Sequence, residues 1–370
     1  KAGWGTHGLP VELGVEKMLG ITKEDIGKTI TVEEYNDTCR KQVMKYTAEW
    51  VNMTQRIGYW VDMDNPYITY DNRYIETLWY LLKEIYKKGY LYKGYSIQPY
   101  SPAAGTGLSS HELNQPGCYR DVKDTTCVAQ FEIIRDGKSE FLFEGESDPL
   151  FFLAWTTTPW TLPSNTALCV GPKFNYVKVR SVNPYTKEPA VYVVAEALVS
   201  AHFNDKIAYE IVGQPIKGVD LEGINYKQLI PWVKADEGAF RVITGDYVTI
   251  EDGTGIVHIA PTFGADDAKV ARIHKIPALQ VVDKAGVKQA MVDRSGRMYR
   301  IEDLDSKFVE ERVDETYKAF AGRFVKNAYD PELKDGDPTL DVDICVDLKQ
   351  KGLAFKIEKH THNYPHCWRT

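Results

Sequence analysis

The sequence predicts an α+β chain, rich in β-structure, on three observations. Up to Gly89 the apolar residues recur at helical spacing. From Val122 the texture changes to short apolar runs separated by turn signals, the mark of strands. Four further helical stretches are then set among those strands.

In order, Gly8-Leu9-Pro10 is a turn leading into a predicted helix at about Val11–Leu19, stopped by Gly20. Thr31-x-x-Glu34 is a capping box. It opens one long predicted helix with Val32, Tyr35, Cys39, Val43, Tyr46, Trp50, Met53 and Ile57 in steps of three and four, ended by Gly58. A second runs from Asn72 to Lys88, with Tyr74, Ile75, Leu78, Leu81, Leu82 and Ile85 on its core side. Tyr90–Gln98 is a predicted strand and Tyr100–Glu112 a loop. Cys127–Ile134 and Glu140–Phe143 flank Asp136-Gly137, a hairpin signal. Further strands are expected at Phe151–Thr158, Ala167–Val170, Tyr176–Val179, Val191–Val194, Phe240–Ile243 and Gly255–Ile259. Helices are expected at Ala195–Phe203, Asp266–His274, Leu304–Thr316 and Thr339–Lys351, and a last strand at Leu353–Lys359.

Composition sets the bounds. The 370 residues, 43% hydrophobic, suffice for two or more domains with ample core. No apolar run approaches membrane-spanning length, and no signal peptide is recognisable. Six scattered cysteines without C-x-x-C read as reduced cytosolic thiols. A net charge of −7 does not advertise nucleic-acid binding, so a tRNA partner would need a local basic path.

The stretch most loaded with chemistry is Trp155–Leu168, WTTTPWTLPSNTAL. An apolar run ends in Thr156, Thr157 and Thr158, and Pro159 then stops any ladder because it has no N–H. A strand ending this way places small donor–acceptor groups at its mouth. A second string, Gly253–Asp267, reads GTGIVHIAPTFGADD.

The first string resembles the threonine-rich peptide of the editing domain in aminoacyl-tRNA synthetases for isoleucine, valine and leucine, and the second resembles the opposite wall of that pocket. Trp4–Glu12, WGTHGLPVE, is similar to a catalytic-domain segment of the isoleucine enzymes, and Tyr364–Arg369, YPHCWR, resembles the point of return to that domain. The four strings stand in family order, so the chain is identified as resembling an internal piece of an isoleucyl-tRNA synthetase. The resemblance implies a barrel-like editing domain inserted into a class I Rossmann catalytic core. Residues 1–121 would be a helical and connective segment of that core, 122–352 the editing domain and 353–370 the return strand.

The implied activity is hydrolysis of valine from mischarged tRNA(Ile). The implied roles are these: Asp267 pairs with the α-ammonium of the aminoacyl group, and His258 blocks larger side chains. Thr156, Thr157, Thr158 and Asn165 hydrogen-bond the ester, the ribose and the water, and Trp160 contacts the terminal adenosine. No nucleophile–base pair stands at useful spacing, so direct water attack is expected. The implied partners are the tRNA(Ile) acceptor end and the rest of the synthetase chain, in a cytoplasmic monomer with no membrane contact. ATP and Mg2+ would serve the full-length enzyme, with no cofactor in this segment. The family's H-I-G-H and K-M-S-K-S signatures do not occur, and Gly5 stands where the family has aspartate, so adenylate synthesis is not expected of this stretch.

Other readings stay open. The chain could serve as a non-enzymatic binder of the tRNA 3′ end, or edit for a valine or leucine enzyme. His360, His362 and His366 could support a metal hydrolase, although no acidic partner follows them in sequence. In many isoleucine enzymes the loop at Tyr100 binds zinc through cysteines. Here Ser101, Ala104 and Thr370 hold three of the four thiolate positions, leaving Cys367 alone. The purified chain should therefore carry no stoichiometric zinc, and elemental analysis finding near one zinc per chain would refute that.

Overall fold

The computed structural model describes residues 1–93, 96–204, 207–330, 332–334 and 337–368. The chain divides into two units, Lys1–Tyr95 and Ser96–Thr370. The first holds β1 (Gly3–Trp4), α1 (Leu9–Leu19), α2 (Val32–Val43), α3 (Thr47–Arg56), β2 (Tyr67–Ile68) and α4 (Asn72–Lys87). β1 and β2 pair in parallel. The capping box forms as read: Thr31 Oγ1 accepts from Glu34 N at 3.2 Å and the Glu34 carboxylate accepts from Thr31 N at 3.1 Å.

Three expectations fail in this part of the chain. The single long helix is two, because the backbone turns at 44–46, where the Thr47 hydroxyl donates to Met44 O at 2.9 Å in place of a continuing ladder. The apolar stripe of α4 is not covered: Leu78 and Leu81 are 44% and 52% exposed. No strand forms among the described residues of 90–98.

The second unit begins with a small hairpin, β3 (Tyr100–Ser101) with β4 (Thr106–Gly107), then α5 (Ser110–Leu113). Its main body is built from β5 (Tyr119–Glu132), α6 (Glu140–Phe143), β6 (Leu150–Thr156), β7 (Ala167–Val170), β8 (Asn175–Val182), β9 (Pro189–Ala195), α7 (Val199–His202), β10 (Glu210–Lys217), β11 (Arg241–Thr244) and β12 (Ile256–Ile259). It continues through α8 (Ala265–Ile273), β13 (Val281–Val282), β14 (Lys288–Gln289), α9 (Ser306–Arg312), α10 (Leu340–Gln350) and β15 (Ala354–Pro365). The α+β expectation holds.

Nine strands form one mixed sheet, in the order β10-β8-β9-β6-β12-β7-β11, with β5 beside β6 and β15 beside β5. β6 is the branch point. β5 lies along it from Phe151 to Thr156. β9 pairs with its first half, Leu150–Phe152, and β12 takes over at Trp155. Alternation places Phe152 and Ala154 in the main core with Phe131, Val193 and Leu348. Leu153 faces a second cluster with Tyr192, Phe203 and Phe355. Burial on both faces explains why these strands read as continuous apolar runs.

Several local expectations are corrected here. Glu140–Phe143 is a helical turn, not a strand: the Asp136 carboxylate accepts from Lys138 N and Ser139 N, so Asp-Gly starts an Asx turn instead of a hairpin. The helix expected over Leu304–Thr316 stops at Arg312 and a separate 3₁₀ turn, Glu315–Ala319, follows with Asp314 as its cap. The one expected at Ala195–Phe203 is a 3₁₀ turn, Glu196–Leu198, followed by the short α7. β10 was not foreseen, and β5 and β15 run much farther than expected, pairing from Ala354↔Ala129 to Pro365↔Tyr119.

Candidate functional site

β6 runs out at Thr156, and a 3₁₀ turn, Pro159–Ser164, follows. The three threonines differ in what they can do. Thr156 is buried and its hydroxyl accepts from Thr158 N at 3.1 Å, which ties the turn back to the strand end. The Thr158 hydroxyl lies 3.4 Å from that of Thr161. Thr157 is half-buried, and its hydroxyl has no hydrogen-bond partner among the described residues.

The facing wall is β12 and the loop before it. Gly253 and Gly255 sit at φ 72° and 71°, the left-handed region that side chains other than glycine avoid, and a Cβ on Gly255 would collide with Ala195. Two further contacts fix the loop. His202 Nε2 donates to Gly253 O at 2.7 Å, and Ala195 N donates to Thr254 O at 3.1 Å. The GTG of the second string is thus a backbone requirement of the loop, and His202 is a brace that sequence reading missed.

His258 lies on β12 opposite Leu168 of β7. Its Nε2 is 3.1 Å from Thr161 Oγ1, a hydroxyl–imidazole pair absent from the sequence-level inventory because 97 residues separate the two. The pair has the wrong polarity for a nucleophile. Thr161 donates its one proton to Thr158 O at 2.8 Å, so the hydroxyl accepts from His258 Nε2–H. The ring is then the Nε2–H tautomer, and Nδ1 is buried without a partner among the described residues. Burial pushes the His258 pKa down to about 4, so the ring is neutral near pH 7.

Asp267 lies in the first turn of α8, whose N-cap is Gly264. Its Oδ2 accepts from Ala260 N at 2.9 Å, just beyond β12. Oδ1 has no hydrogen-bond partner among the described residues. Burial raises the carboxyl pKa, opposed by the Ala260 N–H and reinforced by Asp266. Gly264 makes room for this carboxylate: a Cβ there would come within 2.6 Å of Asp267 Cγ. Asp266 points to solvent.

Trp160 joins the two walls, its ring meeting Phe263 edge-on at 4.9 Å. Its Nε1 is buried and unpartnered among the described residues, as is Thr262 Oγ1. Asn165 is placed differently from the rest. It is buried, donates to Ala167 O at 2.8 Å and accepts from Tyr226 OH at 2.7 Å, so its side chain is engaged in holding the loop.

A cavity of about 300 Å³ opens between the walls, lined by Trp155, Thr156, Thr157, Thr249, Asp252, Gly253, Thr254, Gly255, Ile256, Val257 and His258. Thr158, Trp160, Asn165 and Asp267 do not line it. Thr249 and Asp252 at its lip were not singled out by sequence.

The histidine strand does acquire an acid. His362 Nε2 is 3.1 Å from Asp124 Oδ2, but that same oxygen already binds the Lys326 ammonium at 2.8 Å, and the His360 ring packs edge-on against Trp155. No group of three or more potential metal ligands occurs among the described residues. At the zinc-like hairpin, Ser101 Oγ accepts from Ala104 N at 3.2 Å, while Thr370 lies outside the described residues. No helix among the described residues is long and apolar enough to cross a membrane.

Comparison with known proteins follows the same lines. The family model of tRNA synthetases class I (I, L, M and V) matches residues 1–329. The chain is similar to an isoleucine–tRNA ligase of Bacteroides fragilis, 64% identical over all of this chain and 33% of that protein. Ligases of the same name match all of it at 62% identity in Porphyromonas gingivalis and 41% in Clostridium tetani, over 34% and 30% of those proteins. The chain thus spans about a third of the length of these relatives. Among solved structures it is similar to the editing domains of the cytosolic leucyl-tRNA synthetases of P. falciparum and P. knowlesi. Identities are 11% and 12% and the TM-score is 0.39 for both, over 64% of this chain and 100% and 97% of those, too distant to carry an argument.

The neutral His258 has a pH signature. Its folded pKa of about 4 lies below the ordinary 6.5, so in that window the unfolded chain binds the extra proton. The penalty for charging the buried ring is absent above pH 6.5 and grows to about 3 kcal/mol as pH falls towards 4. Asp341, pushed up to about 7 by burial, works oppositely over much of that range, so the informative quantity is a difference. The stability of the parent minus that of His258→Gln should rise from pH 4 to 6.5, and chemical denaturation at several pH values would reveal a flat difference if the ring is not held neutral.

Proposed function

The chain belongs to the class I tRNA synthetases of the isoleucine, leucine, methionine and valine group, and on that footing we propose that its stretch 122–352 is an editing hydrolase that removes valine from tRNA(Ile). The observation that carries the reading is the Asp267 carboxylate, desolvated by burial and held through Oδ2 by the Ala260 amide, with Oδ1 unengaged among the described residues. A carboxylate in that state suits a cation such as an α-ammonium group.

The need for such a site is physical. A pocket that binds isoleucine rejects valine by only about 1–3 kcal/mol, a general bound for which this very amino-acid pair is the standing example. A second pocket that admits valine and excludes isoleucine supplies the rest. In this proposal His258 is the excluding wall, neutral and held by Thr161, and Thr157 offers its hydroxyl to the ester or to the attacking water. Thr156 and Thr158 keep that turn in place, Asn165 braces it from behind, and Trp160 meets the terminal adenosine. Water attacks the ester carbonyl, the carbon–ribose oxygen bond breaks, and the ribose oxygen leaves with a proton. The polarity of the Thr161–His258 pair favours this direct route over a covalent intermediate.

The whole protein would ligate isoleucine to tRNA(Ile) with ATP and Mg2+, and its partners would be that tRNA and the remainder of the synthetase chain. The stretches 1–121 and 353–370 would connect the editing unit to the catalytic core. No step proposed for this chain passes through a metal.

Asp267→Ala should lower single-turnover deacylation of valyl-tRNA about 30- to 1,000-fold, the loss expected when a partly wet charge pair loses one member. Asp266→Ala, altering a solvent-facing neighbour, should stay near the parent at matched thermal stability. If Asp267→Ala keeps full activity, the ammonium anchor lies elsewhere.

His258→Ala should enlarge the pocket, so that correctly charged isoleucyl-tRNA is hydrolysed while valyl-tRNA is still cleared. A variant that discriminates as well as the parent would show that His258 is not the sieve.

A further inference from the structure

Asp341 stands in the first turn of α10 and is 1% exposed. Its Oδ1 accepts from the backbone N–H of Trp160 at 2.7 Å, across 181 residues of sequence. That N–H belongs to the opening of the 3₁₀ turn Pro159–Ser164, where amides lack partners within the helix. Thr158, the residue at the capping position, makes no side-chain cap bond. Asp341 therefore caps the threonine turn from another element.

The carboxylate is itself fixed. Lys326 Nζ lies 3.8 Å from Asp341 Oδ2 and 2.8 Å from Asp124 Oδ2, and His362 Nε2 holds that same Asp124 oxygen at 3.1 Å. The same ammonium stands 4.9 Å from the Tyr364 ring centroid. Burial pushes the Asp341 pKa up to about 7, against the pull of Lys326 and the Trp160 amide. In either protonation state an oxygen remains to accept the amide. An apolar side chain would fill this place without a desolvation cost, so what the carboxyl adds is geometric: an acceptor aimed at one amide of the turn that carries Thr157, Thr158 and Thr161.

We propose that Asp341 is a positioning residue of the hydrolytic site, holding the Trp160 amide so that the threonine turn stays registered against His258. The Asp124–Lys326–His362 group keeps Asp341 in place. The proposal rests on the reading of 122–352 as a deacylase, and its test separates the two.

The variants are Asp341→Leu, which keeps bulk and loses the acceptor, and Asp341→Asn, which keeps the acceptor and loses the ionisable group. Both are measured in the full 370-residue chain, by amide hydrogen exchange at Trp160 and by steady-state deacylation of valyl-tRNA. Asp341→Leu should speed exchange at Trp160 at least about tenfold and lower kcat about 10- to 100-fold, with KM changed less than about threefold. Asp341→Asn should bring both back to within about threefold of the parent. Unchanged exchange in Asp341→Leu, a freed amide with undiminished kcat, or an Asn variant exchanging as fast as the Leu variant would overturn the proposal. If Asp341→Leu does not fold, the Asn variant decides: a protected Trp160 amide with near-parental kcat supports it, and an unprotected one overturns it. A parent chain without deacylase activity would instead remove the hydrolase reading and the site role with it, while exchange at Trp160 would still show whether Asp341 caps the turn.

Discussion

Everything at the mouth of the sheet depends on β6 having three neighbours. β5 fills one edge, while β9 and β12 divide the other, so the sheet parts where β9 leaves and β12 begins. The last residues of β6 are pinned between β5 and β12, and the chain beyond Thr156 must turn at once because Pro159 cannot donate to a ladder. The cavity opens at that parting, between Trp155–Thr157 and the loop before β12. Were β9 to accompany β6 to its end, the cavity would be closed by main-chain hydrogen bonds.

Around this opening the protein keeps formal charge low. His258 and His202 both have pKa values lowered by burial. The buried carboxyl of Asp341 and the half-buried one of Asp267 are treated oppositely. Asp341 has its amide and a lysine close by, whereas Asp267 has one amide and one oxygen unmatched among the described residues. A carboxylate of the first kind holds structure, and one of the second kind is ready for a cation from outside. The difference lies in the number of protein donors supplied, since both groups sit in the first turn of a helix, where the dipole favours them equally.

Some local backbone demands could be read from sequence, while others, the Asx turn at Asp136 and the break at 44–46, could not. The capping box at Thr31 and Glu34 and the stop at Pro159 each follow from the requirements of a few neighbouring residues. What joins distant elements could not. Thr161 with His258, Tyr226 with Asn165, and Asp341 with Trp160 meet only because the sheet and α10 bring them together. The ranking of Thr156, Thr157 and Thr158 was equally hidden, because it depends on which hydroxyl the turn itself uses. β10 escaped for a different reason: Gly213 and Pro215 read as turn residues, and its mostly exposed side chains give no apolar alternation. The outer part of the β5–β15 ribbon, Arg120–Lys123 against Thr361–Tyr364, has Val122 as its one aliphatic residue and so gives little apolar alternation.

That ribbon also sets the order of events when the chain folds. Thr126 and Glu358, bonded across it, are 232 residues apart. Closing so long a loop costs on the order of 5 kcal/mol in chain entropy, recovered only when the ladder zips. During synthesis β5 therefore emerges long before its partner, and its outer edge stays an unpaired template for other strands until the final segment arrives. The charged residues Arg120, Asp121 and Lys123, idle as far as the core is concerned, are well placed to keep that waiting edge from pairing with strangers.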